Sequence, residues 1–87
     1  MIERQTYVAQ FNEVREKYEG APVEVIRKDF AHDITNDEDF LIDTNYKDIL
    51  VTFSIKDGKC YLTDMVELYD ENGIFVGTMR PDGSDYI

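Results

Sequence analysis

Eighty-seven residues with a net charge of -10 make a chain too short to divide into two hydrophobic cores. It is also too acidic to favour DNA, RNA or anionic lipid, each of which would meet like charge instead of releasing counterions. The composition, 43% hydrophobic and 13% aromatic, is that of a folded chain, and Cys60 as the only cysteine excludes an intramolecular disulfide or a CxxC metal knuckle.

The first predicted element is an amphipathic helix over about residues 3–19, because Tyr7, Val8, Phe11, Val14 and Tyr18 recur at steps of three and four. Glu13 and Lys17 are expected to pair across one turn on its wet side. Gly20, followed by Ala21 and Pro22, ends it, since Gly accepts the left-handed conformation and Pro cannot continue the ladder. Residues 22–34 fit two patterns. Val23, Ile26, Phe30 and Ile34 suit a helix with Pro22 at its first position, whereas Val23-Glu24-Val25 alternates like a strand; the helix is the favoured of the two. A further start signal at Thr35 or Asn36 precedes Asp37, Glu38 and Asp39 and predicts a short helix turning Phe40 and Leu41 inward.

From Ile49 onward the period changes to two. Ile49, Val51, Phe53 and Ile55 alternate with Leu50, Thr52 and Ser54, and Asp57-Gly58 supplies a hairpin turn that pairs Ile55 with Cys60 and Phe53 with Leu62. A second strand runs from about Lys59 to Tyr69, and Asp70-Glu71-Asn72-Gly73 turns the chain into a third over Ile74 to Met79. The expected fold is therefore α+β. An N-terminal amphipathic helix, with one or two short helices, packs on a three-stranded antiparallel β-meander. One domain of residues 1–87 would comprise a helical and acidic part (about 1–48), the meander (about 49–80) and a short tail (81–87).

In those registers one sheet face carries Ile49, Val51, Phe53, Ile55, Cys60, Leu62, Val66, Leu68, Ile74 and Val76, which makes it the core face. Strict alternation would also bury Asp64 there, so a β-bulge near Thr63 is expected to turn that carboxylate outward. The opposite face carries Tyr61, Met65, Tyr69, Phe75 and Met79 beside Thr52, Ser54 and Glu67, more aromatic and thioether surface than a wet face usually shows. Either the 22–44 segment covers it with Phe30, Ile34, Phe40 and Leu41, or it is a recognition patch.

Candidate chemistry centres on the carboxylates Asp29, Asp33, Asp37, Glu38, Asp39, Asp43 and Asp48. An EF-hand frame begun at Asp33 puts Glu38 where the loop needs Gly and Thr44 where it needs a bidentate Glu, so the calcium pattern fails at two defining positions and a specific calcium site is not expected. No spacing singles out an acid and base pair, Cys60 belongs to the apolar face, His32 suits a surface or helix end, and there is no GxxxxGK[ST], GxGxxG or GxSxG. No enzyme activity, catalytic residue, metal or cofactor is therefore expected.

Carboxylates spaced along helices and loops present anionic oxygens to Lys and Arg as phosphates do. The expected partner is a basic protein surface, such as the groove of a nucleic-acid-binding protein, met by Asp29, Asp33, Asp37, Glu38, Asp39 and Asp43, with Asp70 and Glu71 at a hairpin tip. Tyr46, Tyr61, Met65, Tyr69, Phe75 and Met79 would supply apolar contacts. In size, acidity and lack of a catalytic motif the chain resembles the small inhibitors that phages and mobile elements direct at host nucleases, anti-CRISPR and anti-restriction proteins among them. That resemblance covers no alignable motif and carries over no residue. The alternative is an accessory or homodimerising domain that pairs through the aromatic face, its acidity serving solubility. With no basic region leading into an apolar stretch and no run near the roughly 18 apolar residues of a membrane span, the expected setting is the cytoplasm.

Overall fold

The computed structural model describes residues 1–33 and 39–86. Helix α1 spans Arg4–Tyr18 and buries Tyr7, Gln10, Phe11, Val14 and Tyr18 along one stripe. Gly20 follows at φ 77°, and the chain it redirects docks on the sheet: its N–H donates to the Cys60 carbonyl at 2.7 Å, and Cys60 N–H returns a bond to Ala21 at 2.9 Å. The pair expected between Glu13 and Lys17 does not form; Glu13 meets Lys47 at 3.1 Å instead, joining α1 to the first β-turn.

Helix α2 spans Val23–Phe30, which settles the ambiguous segment as helix. Pro22 is its N-cap, one position earlier than expected, because Pro22 keeps an extended ψ of 145°. The helix stops at Phe30, where Ala31 takes the left-handed conformation at φ 55°; Ile34, which the sequence assigned to it, lies outside the described residues.

The sheet has four antiparallel strands in the order β1-β2-β3-β4: Phe40–Tyr46, Ile49–Lys56, Lys59–Tyr69 and Phe75–Met79. The first corrects the sequence expectation. Phe40 and Leu41 lie in a strand, not in a helix; the helix start proposed at Thr35 or Asn36 lies outside the described residues. In β1, Phe40, Ile42, Thr44 and Tyr46 face the helices while Leu41, Asp43 and Asn45 face away, a period of two that the acids ahead of Phe40 obscure. Pairing with β2 also satisfies an edge that a three-stranded sheet would have left bare.

The β2–β3 register is the expected one, with Ile55 opposite Cys60 and Phe53 opposite Leu62. The turn between them has Asp57 at φ 51° and Gly58 at φ 74°, the doubly positive geometry that an Asp-Gly pair accepts. The register then shifts: Val51 meets Val66, so Thr63, Asp64 and Met65 bulge from β3 and Asp64 stays exposed. On β4 a second irregularity overturns part of the expected core. Val66 pairs with Met79 and Leu68 with Gly77, but Tyr69 pairs with Phe75, leaving Val76 as an extra residue. Because a slip of one residue exchanges the faces, Met79 is fully buried while Ile74 and Val76 are 61% and 54% exposed.

Both helices lie on one face, α1 across β2 and β3 and α2 against β3. The core between the layers gathers Phe11, Val14, Tyr18, Ile26, Phe53, Val66 and Met79, with Phe30 and Phe40 at its margin. Since Phe30 packs on Tyr18 at 5.2 Å between ring centres, it does not cover the far face. That face has no second layer among the described residues.

Candidate protein-binding surface

Of the acidic run, the described residues lie at the end of α2 (Asp29), just beyond it (Asp33), and at or on the edge strand β1 (Asp39, Asp43). Asp29, in the last turn of α2, accepts a hydrogen bond from the Tyr18 hydroxyl at 2.9 Å. Burial, then that bond and the Asp29 charge, push the Tyr18 phenol up to about 12. Asp33 and Asp39 are exposed and have neither hydrogen bond nor ion pair among the described residues. Asp43 projects from β1, where its carboxylate accepts from the Thr52 hydroxyl at 2.7 Å. Between Asp39 and Asp43 stands Leu41, 67% exposed. No Lys or Arg occurs in the chain between Lys28 and Lys47, so no basic side chain of this segment offsets those charges. Asp37 and Glu38 lie outside the described residues.

Asp70 and Glu71 do not join this margin. They occupy the β3–β4 turn, at the end of the sheet opposite the start of β1. Asp70 builds that turn, one carboxylate oxygen accepting from the N–H groups of Asn72 and Ile74 at 2.9 Å each, and Glu71 lies 3.3 Å from the N-terminal amine. Nearby, the Tyr7 hydroxyl donates to the Tyr69 carbonyl at 2.7 Å, and burial, reinforced by the charges of Asp48, Glu71 and Asp70, pushes its phenol up.

Sequence reasoning missed Gln10. Its side-chain amide donates to Asp48 at 2.9 Å and its carbonyl accepts from the Asp48 N–H at 3.1 Å, tying α1 to the β1–β2 turn. Gln10 interrupts the apolar stripe at a buried position, and that misfit was the available signal.

The expected aromatic patch is divided. Tyr61, Tyr69 and Phe75 share the uncovered face, Tyr69 and Phe75 with rings 5.8 Å apart and edge to face. Leu41, Ser54 and Tyr61 form a row near the β2–β3 turn. Two rows lie between that one and Tyr69 and Phe75, Asp43 with Thr52 and then Asn45, Leu50, Glu67 and Thr78, polar but for the half-buried Leu50. Met65 is half-buried in the bulge, Tyr46 packs half-buried on the core side with the Lys47 amine 5.4 Å from its ring, and Met79 belongs to the core.

Cys60 is fully buried, and burial pushes its thiol up, away from the thiolate a nucleophile needs. Among the described residues no group of three His, Cys, Asp or Glu side chains is placed to hold a metal ion, and no helix is long and apolar enough to cross a membrane. Compared with known proteins, the chain matches no family model, no curated protein and no solved structure.

Proposed function

We propose that this chain is a non-enzymatic binding protein whose acidic margin along β1 engages a basic protein surface, most concretely the groove in which a nucleic-acid-binding protein holds phosphates. The observation that carries this reading is Leu41, 67% exposed between the carboxylates of Asp39 and Asp43. An apolar side chain flanked by exposed carboxylates has the composition of a contact centre with a charged rim. The density of charge points the same way. A net charge of -10 on so small a chain makes a negative field that draws basic surfaces. Lys and Arg side chains that hold phosphate oxygens bond carboxylate oxygens in the same geometry.

The test is retention of nucleic-acid-processing proteins on the immobilised chain, beside a variant carrying Asp33→Lys, Asp39→Lys and Asp43→Lys. A partner held by the wild type alone, released by moderate salt and displaced by duplex DNA, supports the reading. Equal retention by the charge-reversed chain ends it.

A further inference from the structure

We propose that the outer edge of β1 takes up an extended basic segment of the partner as a fifth strand of the sheet. The added strand rests on the acidic-margin reading above and gives it a mode of binding, backbone pairing along β1. The strand edges of this molecule are not treated alike. The outer edge of β4 is met by the chain's own tail, through the bridge between Met79 and Asp85 and the Arg80 N–H on the Ser84 carbonyl at 2.8 Å. Arg4, which donates to the Gly83 carbonyl at 2.7 Å, and Arg80, which donates to the Asp85 carbonyl, tie that tail down. The part of β3 that extends past β4 is covered as well: Gly20 and Ala21 bond to Cys60, and the Glu19 carboxylate accepts from the Leu62 N–H at 2.8 Å. On the outer side of β1, by contrast, no bridge or backbone hydrogen bond is made among the described residues.

β1 is also an edge that accepts a strand. Its seven residues keep one register with β2 from Phe40 to Tyr46, without a bulge, and include no Pro, Gly or Lys. Of the devices that ordinarily blunt an edge, it carries only the charge of Asp43. The Thr44 hydroxyl on the same strand, in a residue 3% exposed, has no hydrogen-bond partner either.

Charge decides the occupant. Asp43 is the middle residue of β1, so a second copy pairing antiparallel about that point sets Asp43 against Asp43. Like charges directly opposite destabilise a strand pair, whereas a Lys or Arg opposite Asp43 makes the contact attractive. The two faces specify the rest of the segment. Leu41, Asp43 and Asn45 face away from the helices, while Phe40, Ile42 and Tyr46 are half-buried at the margin of the core. An added strand therefore presents basic side chains on the open face beside Asp43 and apolar ones on the helical face, where they extend the packing of Phe40, Ile42 and Tyr46. The occupant is an extended segment in which Lys or Arg alternates with apolar residues.

The ligand for the experiment is a synthetic peptide of alternating Lys and Val, as long as the seven residues of β1, beside the same peptide N-methylated at every residue, which keeps the charge and removes the backbone donors. Each is titrated into the full chain, into Asp43→Lys and into Glu71→Lys, a variant with the same change of charge at the other end of the sheet, and amide hydrogen exchange is followed in the wild type. The unmethylated peptide is expected to slow exchange in β1 and not in β4, to bind about tenfold or more tighter than the methylated one, and to lose about tenfold or more with Asp43→Lys but less than about threefold with Glu71→Lys. No binding, protection that falls outside β1, equal affinity for the two peptides, or a wild-type dimer in sedimentation that Asp43→Lys disperses would each overturn the added strand. Two peptides bound equally, yet both lost with Asp43→Lys, would leave a basic partner held by charge alone, whereas equal retention of partners by the charge-reversed chain would remove that reading too.

Discussion

Tyr18 lies at the junction of both helices and the sheet, 4% exposed, its ring against Phe30 and Phe53 and its hydroxyl on Asp29. Its phenol ionises near 10.0 when unfolded and near 12 when folded, so the folded chain holds that proton more tightly. The resulting stability is fully present below pH 10.0 and is lost as pH rises through about 12. Urea titrations across that window are expected to show stability falling, and Tyr18→Phe should remove the Tyr18 part of the decline while leaving the part due to Tyr7. The sequence placed Tyr18 on the buried stripe of α1, but nothing in it linked the hydroxyl to Asp29, which belongs to a helix whose very existence was ambiguous. Gln10 was illegible for a related reason. Its partner Asp48 lies in a turn 38 residues away, and only the packing of α1 across the sheet brings them together.

At the scale of elements, the β3–β4 hairpin shows what one residue of register decides. Met79 is fully buried and Val76 is 54% exposed, the reverse of what unbroken alternation implied. Met79→Ala should therefore cost about 2–5 kcal/mol by leaving a cavity, whereas Val76→Ala should change stability by less than about 0.5 kcal/mol. Denaturant midpoints measure both. The Asp57-Gly58 turn was legible because its sequence demands one backbone geometry. The β3–β4 turn also formed where its residues indicated, yet the extra residue at Val76 shifts the register so that Met79 and not Val76 enters the core. β1 was missed because the acids ahead of Phe40 imitate a helix start, while the alternation from Phe40 to Tyr46 is stabilised by the neighbouring strand.

For the whole molecule, self-repulsion among carboxylates opposes compactness. The ion pairs among the described residues have exposed side chains, each worth about 0–1 kcal/mol at most, so screening them removes little. Raising ionic strength from about 0.01 M to about 0.15 M shortens the screening length from roughly 30 Å to 8 Å and should raise the melting temperature. A melting temperature that falls over the same range would show that specific pairs outweigh the net field of -10. The same charge is distributed unevenly between the sheet edges, acidic at β1 and neutral at β4, which no count of residues reveals.

The sequence by itself determined the α+β class, the first helix with its buried stripe, and the central hairpin with its register, because short-range periodicity and turn chemistry settle each of these locally. It also placed the run of carboxylates from Asp29 to Asp43. Only the tertiary structure decided the fourth strand, the exchange of Met79 for Val76 in the core, the separation of Asp70 and Glu71 from the β1 margin, and the division of the aromatic face. All of these depend on pairing between distant segments, which no local signal encodes.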